Sequence, residues 1–468
     1  MKKLSSLKNK KITVMGLGLN RGGLGVTRFL TQSGARVLVT DLKKENELQE
    51  TLEELKDCDI QYVLGEHRIE DFIDKDMIIQ NPAVPHHSRY LKIARSNGIP
   101  IETDLSLFFK FCPSKNLIAV GGTKGKSTVT NLIYHIFSHA QQKILHAGNM
   151  GISVFDILPS ITSETLVLLE ISSWQLEGIY QIKFKPSIAV LTNILPDHLD
   201  RYNDFHDYAN SEKLIYQYQD QSDYLITNLD NPITLNSSRE TTANIFWFSA
   251  KQEVSQGTYL EGKKLIFKRK NHSEVFCQTD DIKIPGFHNI ENILATANVC
   301  FIQGLSSAQI ASGIRTFSGV ANRLEKIRTL RGIHFYNDTC ATTPDSTIAA
   351  IKSFPEKPII LIIGGRDKRL NYNQLCQVIR EMKNIDYLII LQHPEYTASE
   401  IIYPKLKGLS LVNKLKTCST MSEAVQTAYH KANPGTHILL SPAATSFGMF
   451  RNEFERGNSF RQAVEKLR

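Results

Sequence analysis

Short apolar runs recur along the chain, each closed by glycine or a polar residue and each followed by a stretch with helical spacing. In the first quarter the runs are KITVMGLG, ARVLVTD and DMIIQN, and the intervening helical stretches are GVTRFLTQSG and SRYLKIARSNG. Strand and helix alternating in this way predict a parallel sheet with helices on both faces. Phe111–Lys115 (FCPSK) reads as a connector. A second block opens with the strand Asn116–Val120, continues into the helix KSTVTNLIYHIFSHA, and adds the buried-type strands Thr165–Glu170 and Ser187–Asn193. Residues 221–285 look β-rich and irregular. The helix NIENILATANVCFIQG follows, with Gly304 placed to cap its C-terminus. A third block starts near Val320, where GIHFYND, PIILIIGG, DYLIIL and HILLSP are separated by helices such as TIAAIKSF and SEAVQTAYHKA. This is a second doubly wound α/β unit.

Composition narrows the picture. A chain of 468 residues is too long for one ordinary core. Hydrophobic content of 41% with 22% charged is that of a soluble globular enzyme. No apolar run approaches the roughly 18 residues that span a bilayer. The basic start, Met1–Lys11, precedes ITVMGLGL as a secretory signal does, but glycines and Arg21 break the run and no small-residue cleavage site follows, so a buried first strand is expected. Seven cysteines are scattered without a Cys-x-x-Cys pair, which argues against a disulfide framework or a zinc site and for a reducing compartment. A net charge of +8 suits an anionic small molecule; without a clustered basic stripe it does not point to nucleic acid.

Three features carry candidate chemistry. Gly16–Gly23, GLGLNRGG, lies between strand and helix, where backbone amides cradle phosphate, and Asp41 ends the next strand, where a ribose-binding acid sits. Its spacing is Gly-x-Gly-x-x-x-Gly, so a tight turn that merely needs glycines accounts for it as well as a nucleotide does. The second feature is Ala119–Asn131, AVGGTKGKSTVTN. A Walker loop needs a glycine five residues before the glycine of Gly-Lys-Ser; that glycine is Gly125, and five residues back stands Val120. The context is nevertheless right. Gly121, Gly122 and Gly125 let the backbone turn its N–H groups toward an anion, Lys126 is placed for the β/γ-phosphates, and Ser127 for Mg²⁺. Third, Glu170 and His198 fall at or just past equivalent strand ends in one α/β sheet, where ligands gather; alone, Glu170 reads as a solvated strand end and a lone histidine is more often structural than a ligand.

Taken together, GTKGKST after IAV, then GNMG, LEISSWQLE, TNILPDHLDRY, EKLIY, GFHNIEN, NRLE, YNDT and SPAATSFGMFRN follow an order that resembles the Mur ligases of peptidoglycan synthesis, most closely the MurD type, which adds glutamate to UDP-N-acetylmuramoyl-L-alanine. The likeness spans nearly the whole chain. In that family the short loop is normal. The resemblance implies a three-domain α/β protein: a Rossmann-like domain for the UDP precursor (1–112), a central P-loop-type ATPase domain (113–319), and a Rossmann-like domain that completes the ATP and glutamate sites (320–468). It implies ATP contacts from Gly122, Thr123, Lys124, Gly125, Lys126, Ser127, Thr128, Asn149, Asn289, Asn292, Arg323 and Asp338. Ser127, Glu170, His198 and Lys213 would hold two Mg²⁺ ions, Lys213 as a carbamate, and Lys126, His198 and Lys213 would be the catalytic set. Gly18, Leu19, Asn20 and Asp41 would meet the UDP substrate, and Thr342, Lys368 and Ser446 the glutamate. A cytoplasmic monomer acting on small molecules is implied, with no nucleic-acid or membrane partner.

The chain departs from the family pattern at three points. Lys124 stands where Asn is usual, Cys340 replaces a lysine, and Glu453 replaces an aromatic. The last two bear on whether D- or L-glutamate is used; D-glutamate is the family expectation. A folylpolyglutamate synthase-like ligase is disfavoured because a whole block precedes the phosphate loop. An NAD oxidoreductase, or a paralogue without catalysis, leaves Lys126, Glu170, His198, Arg323 and Asp338 unexplained.

Overall fold

The computed structural model describes residues 4–18, 21–149, 151–198, 201–406 and 414–468. Leu19 and Asn20, expected at the UDP substrate, lie outside the described residues. The chain folds around three sheets. The first is built from β1 (Lys11–Met15), β2 (Arg36–Asp41), β3 (Ile60–Leu64), β4 (Met77–Gln80) and β5 (Ile101–Glu102) in the order β3-β2-β1-β4-β5, every pair parallel. The order reverses between β1 and β4, which makes the ends of those two strands the expected ligand crevice. Asn81, just past β4, donates its amide to the Gly16 carbonyl at 3.1 Å and closes one side of that crevice.

The second sheet holds β6 (Leu117–Gly121), β7 (Ile144–Gly148), β8 (Leu166–Glu170), β9 (Ile188–Leu191), β10 (Tyr224–Asn228), β11 (Asn244–Ser249), β12 (Gly257–Glu261), β13 (Lys264–Arg269) and β14 (His272–Gln278). Its order is β14-β13-β12-β11-β10-β9-β6-β8-β7. The strands from β7 to β12 are parallel, and an antiparallel β12–β13–β14 meander forms the far edge. The central strand β6 is buried at every position, as its unbroken apolar sequence requires. The third sheet holds β15 (Glu325–Leu330), β16 (Ile333–Asn337), β17 (Ile359–Ile363), β18 (Ile385–Leu391), β19 (Leu415–Cys418) and β20 (His437–Leu440), ordered β15-β16-β20-β17-β18-β19 with only β15 antiparallel.

Compactness gives two units. One is Met1–Thr279 with Glu291–Ile314; the other is Asp280–Ile290 with Arg315–Arg468. The first unit therefore takes in both of the first two blocks, whose cores are continuous. Phe29 of the helix Arg21–Gln32 stacks on Phe155 at 4.4 Å between ring centres, and Phe108 meets the same ring edge-on. All seven cysteines are free thiols. Among the described residues no helix is long and apolar enough to cross a membrane.

Candidate active site

In the second sheet β8 and β9 flank β6, so the loops leaving these three strands share one edge. The phosphate loop leaves β6 and enters the helix Lys126–His139. Two glycines are obligatory there. Gly122 has φ +106°, and a Cβ on it would lie 2.4 Å from Thr192 Oγ1 and 2.8 Å from the Asn193 carbonyl. Gly125 has φ +93°, and its Cβ would meet Asn292 Oδ1 at 2.3 Å. Left-handed backbone and a closed neighbourhood each select glycine. Asn292 thus packs against the loop, while Asn289 of the same helix, Phe287–Ile302, donates its amide to the Pro285 carbonyl at 2.6 Å.

The first half of the loop differs from the sequence expectation. The N–H groups of Gly122, Thr123 and Lys124 are not turned toward an anion. Gly122 donates to Glu212 Oε2 at 2.9 Å, Thr123 to the Asn193 carbonyl at 2.8 Å, and Lys124 to Asn193 Oδ1 at 3.0 Å. The Thr123 hydroxyl is engaged by Tyr208 and by the backbone of Leu195. The Lys124 ammonium pairs with Asp197 Oδ2 at 2.9 Å, so it neither reaches into the loop nor lies loose in solvent. An anion is favoured instead at Gly125–Thr128, where the loop meets the positive end of the helix Lys126–His139. The Lys126 ammonium folds onto the carbonyls of Gly122 and Thr123.

At this helix start the Ser127 hydroxyl donates to Glu170 Oε1 at 3.0 Å, and the Asn149 amide reaches the same oxygen at 3.4 Å. Glu170 is 2% exposed, and its other oxygen, Oε2, has no hydrogen-bond partner among the described residues. A buried carboxylate oxygen left open beside a serine hydroxyl at the end of a phosphate loop is the donor set a divalent cation takes. The residues present therefore fit Mg²⁺.

His198 sits past β9 in a left-handed conformation, φ +54°. Its N–H donates to Asp197 Oδ1 at 2.9 Å, and its ring lies 5.2 Å from the Trp174 ring. His198, Asn149 and Trp174 share a cavity of about 240 Å³ with Arg21 and Asn81, which come from the crevice of the first sheet. Asp104 lines the same cavity, and burial pushes its carboxyl up to about 6. Lys213 borders a different groove, and its ammonium lies 3.5 Å from Glu240. Of the residues expected at the UDP substrate, Gly18 and Asp41 meet each other: the Gly18 N–H donates to Asp41 Oδ2 at 3.0 Å. The other Asp41 oxygen accepts the Lys43 N–H at 2.9 Å.

The third sheet repeats the logic. Its adjacent parallel strands β16, β20 and β17 deliver the loops that carry Thr342, Ser446 and Lys368. Lys368 Nζ donates to Thr342 Oγ1 at 3.4 Å. The Lys368 and Ser446 loops are laced together by reciprocal Arg366–Thr445 backbone bonds of 3.0 and 3.1 Å, and the Ser446 carbonyl accepts the Tyr396 hydroxyl at 3.2 Å. Asp338 is buried; it accepts the Leu324 N–H at 3.0 Å and the Ser441 hydroxyl at 2.8 Å. Burial pushes its carboxyl up to about 7, with those bonds and the nearby Arg323 and Arg456 working against the rise.

Several residues here escaped the sequence reading. Glu212, 1% exposed, braces the phosphate loop through Gly122 and the Tyr208 hydroxyl, and burial raises its carboxyl. Arg201 lies 4.1 Å over the Trp174 ring and contacts Glu177 at 3.4 Å. Arg456 is fully buried and binds the backbone of Thr339 and Ala444. Arg201 and Glu212 had a signal, their places in DHLDRY and EKLIY; Arg456 sits on a helix whose sequence gives no hint of what it faces.

Family models described as Mur ligase MurD-like N-terminal domain, Mur ligase middle domain, and Mur ligase glutamate ligase domain match residues 10–103, 120–300 and 322–444. Among curated relatives, the UDP-N-acetylmuramoylalanine--D-glutamate ligase of Roseiflexus sp. (strain RS-1) is 39% identical over 98% of this chain and 99% of its own. The enzyme of the same name from Acetivibrio thermocellus is 34% identical over 98% and 97%. Among solved structures, UDP-N-acetylmuramate-alanine ligase MurC from Thermotoga maritima superposes with a TM-score of 0.65 at 20% identity, covering 97% of this chain and 99% of that one. At that identity the likeness speaks for the fold alone.

Proposed function

The chain belongs to the Mur ligase family, and we propose that it joins D-glutamate to the alanine carboxylate of UDP-N-acetylmuramoyl-L-alanine with ATP, a cytoplasmic step of peptidoglycan synthesis. The observation that carries the reading is Glu170, a buried carboxylate with one oxygen bonded to Ser127 of the phosphate loop and the other left open. That pair serves phosphoryl transfer and has no use in hydride transfer. The names borne by the relatives support D-glutamate as the amino acid.

In this reading residues 1–112 receive the UDP precursor at Gly18, Leu19, Asn20 and Asp41. Residues 113–319 bind ATP, and 320–468 bring Arg323 and Asp338 to ATP and Thr342, Lys368 and Ser446 to glutamate. Ser127, Glu170, His198 and a carbamate on Lys213 would hold two Mg²⁺ ions, which when bound would supply positive charge to the transferring phosphoryl group. Lys126 leaves its loop carbonyls for the phosphates and stabilises the negative charge of the same group. The alanine carboxylate attacks the γ-phosphorus, ADP departs, and an acyl phosphate forms. The glutamate amine, steered by carboxylate contacts to Lys368, attacks the acyl carbon. Phosphate leaves with one former carboxylate oxygen, the amine loses a proton, and the amide remains. The enzyme works as a monomer.

The test is phosphate release from ATP with Mg²⁺ and UDP-N-acetylmuramoyl-L-alanine, with D- and L-glutamate supplied separately. Release with D-glutamate is expected. Release with L-glutamate alone overturns the enantiomer, and release with neither overturns the ligase.

A further inference from the structure

Lys124 stands in the phosphate loop, and it is fastened on three sides. Its N–H donates to Asn193 Oδ1 at 3.0 Å, its carbonyl accepts the Asn193 amide at 3.1 Å, and its ammonium bonds Asp197 Oδ2 at 2.9 Å. The other Asp197 oxygen accepts the His198 N–H at 2.9 Å. One carboxylate thus joins the cation of the loop to the backbone of His198. His198 is left-handed, a conformation a non-glycine residue keeps only when its surroundings hold it. Its carbonyl is held as well, by the N–H groups of Arg201 and Tyr202 at 2.9 and 3.2 Å.

We propose that Lys124 is a positioning residue: paired with Asp197, it keeps the His198 turn in register with the phosphate loop and cancels the Asp197 charge beside the bound triphosphate. The pair thereby sets how strongly Mg²⁺ tightens nucleotide binding. This rests on the ATP reading of the site. The side chains are 37% and 12% exposed, so the ion pair is screened on one side and contributes little to stability. Its role is local. Without the ammonium, the charge of a nearly buried carboxylate beside the phosphate loop is no longer offset by Lys124, and the loop that carries His198 loses that tie.

The experiment is calorimetric titration of the full chain with the non-hydrolysable ATP analogue adenylyl imidodiphosphate, with Mg²⁺ and with EDTA. In the wild type Mg²⁺ tightens binding. Lys124→Met and Asp197→Asn are each expected to reduce that enhancement by about tenfold, the scale of one charge-assisted hydrogen bond. The double variant is expected to be no worse than the poorer single one, because the two side chains act as a unit. Lys124→Arg keeps the pair and is expected to restore the enhancement. An unchanged Mg²⁺ enhancement in Lys124→Met overturns the proposal. So does an equal loss of affinity with and without Mg²⁺ in Lys124→Met accompanied by a gain in Asp197→Asn, which marks a direct phosphate contact. No binding to the wild type overturns the ATP reading and this proposal together.

Discussion

Arg456 is 0% exposed and spreads its guanidinium over three acceptors: Thr339 Oγ1 at 3.0 Å, the Ala444 carbonyl at 3.1 Å and the Thr339 carbonyl at 2.8 Å. The Thr339 hydroxyl passes its own proton to the Glu453 carbonyl at 2.8 Å. The fork therefore ties the loop after β16 to the loop after β20 and to the start of the helix Glu453–Glu465. Burial is costly for the cation and draws its pKa down to about 10. In Arg456→Lys the charge stays buried while the fork is lost. A lysine ammonium can satisfy one of the three acceptors; the Thr339 hydroxyl keeps its bond to Glu453, so one buried carbonyl is left unpaired at about 1–3 kcal/mol, in addition to the lost charge-assisted bond to the hydroxyl. The expected loss is about 3 kcal/mol, or roughly 6–12 °C in the unfolding midpoint of a unit this size. Scanning calorimetry on the full chain reads the shift, and phosphate-release kinetics well below the transition read the loops. The KM for glutamate is expected to rise, because Thr342 and Ser446 leave the same two strands. A midpoint within about 2 °C of wild type refutes the reasoning, since it means the fork does not carry those acceptors.

Other outcomes follow from the same geometry. Glu170→Gln keeps the size of the side chain but removes the charge; turnover is expected to fall about 10²–10³-fold with the unfolding midpoint unchanged or raised, as phosphate release and calorimetry will show. Gly125→Ala combines a left-handed backbone with a Cβ 2.3 Å from Asn292 Oδ1, and ATP affinity is expected to fall at least tenfold by titration, at about 1–2 kcal/mol for the backbone alone. Lys213→Ala is expected to lose most turnover, and wild-type activity would exclude an essential carbamate. Asp338 titrates near 7 in the fold against an ordinary value of 3.8, so the native state holds the extra proton between those limits. Its burial penalty is therefore full above about pH 7 and relieved as pH falls toward 4, with a limiting slope of about 1.4 kcal/mol per pH unit. Relative to Asp338→Asn, the wild type is expected to gain thermal stability between pH 8 and 5; a constant difference would show that Asp338 does not titrate there.

The local grammar of the chain was legible. Runs of Val, Ile and Leu bounded by glycine located the central strands, because a parallel strand buried on both faces has an apolar side chain at nearly every position. The strands that went unread, β3, β5, β7, β15 and β19, lie at sheet edges and are short or half-exposed, and some carry polar residues such as Lys326 and Arg328 that mask the pattern. The helix Arg21–Gln32 begins four residues before its apolar stretch, since its first turn is glycines and an arginine. Motif order also identified the phosphate loop, Glu170 and His198 as one group.

By itself, then, the sequence determined which residues stand at strand ends and which glycines open the loops, because both follow from local backbone sterics and from burial along one strand. Only the tertiary structure decided what those residues face. On either side of β6, β8 and β9 aim Glu170 at Ser127 and Asn193 at Lys124, across separations of 43 and 69 residues. Likewise, β17 aims Lys368 at Thr342 across 26. Such partners depend on sheet order, which is set by how the whole apolar surface packs. No stretch of sequence shows that the first three N–H groups of the phosphate loop are already taken, or that the unexpected lysine within it holds the turn of His198.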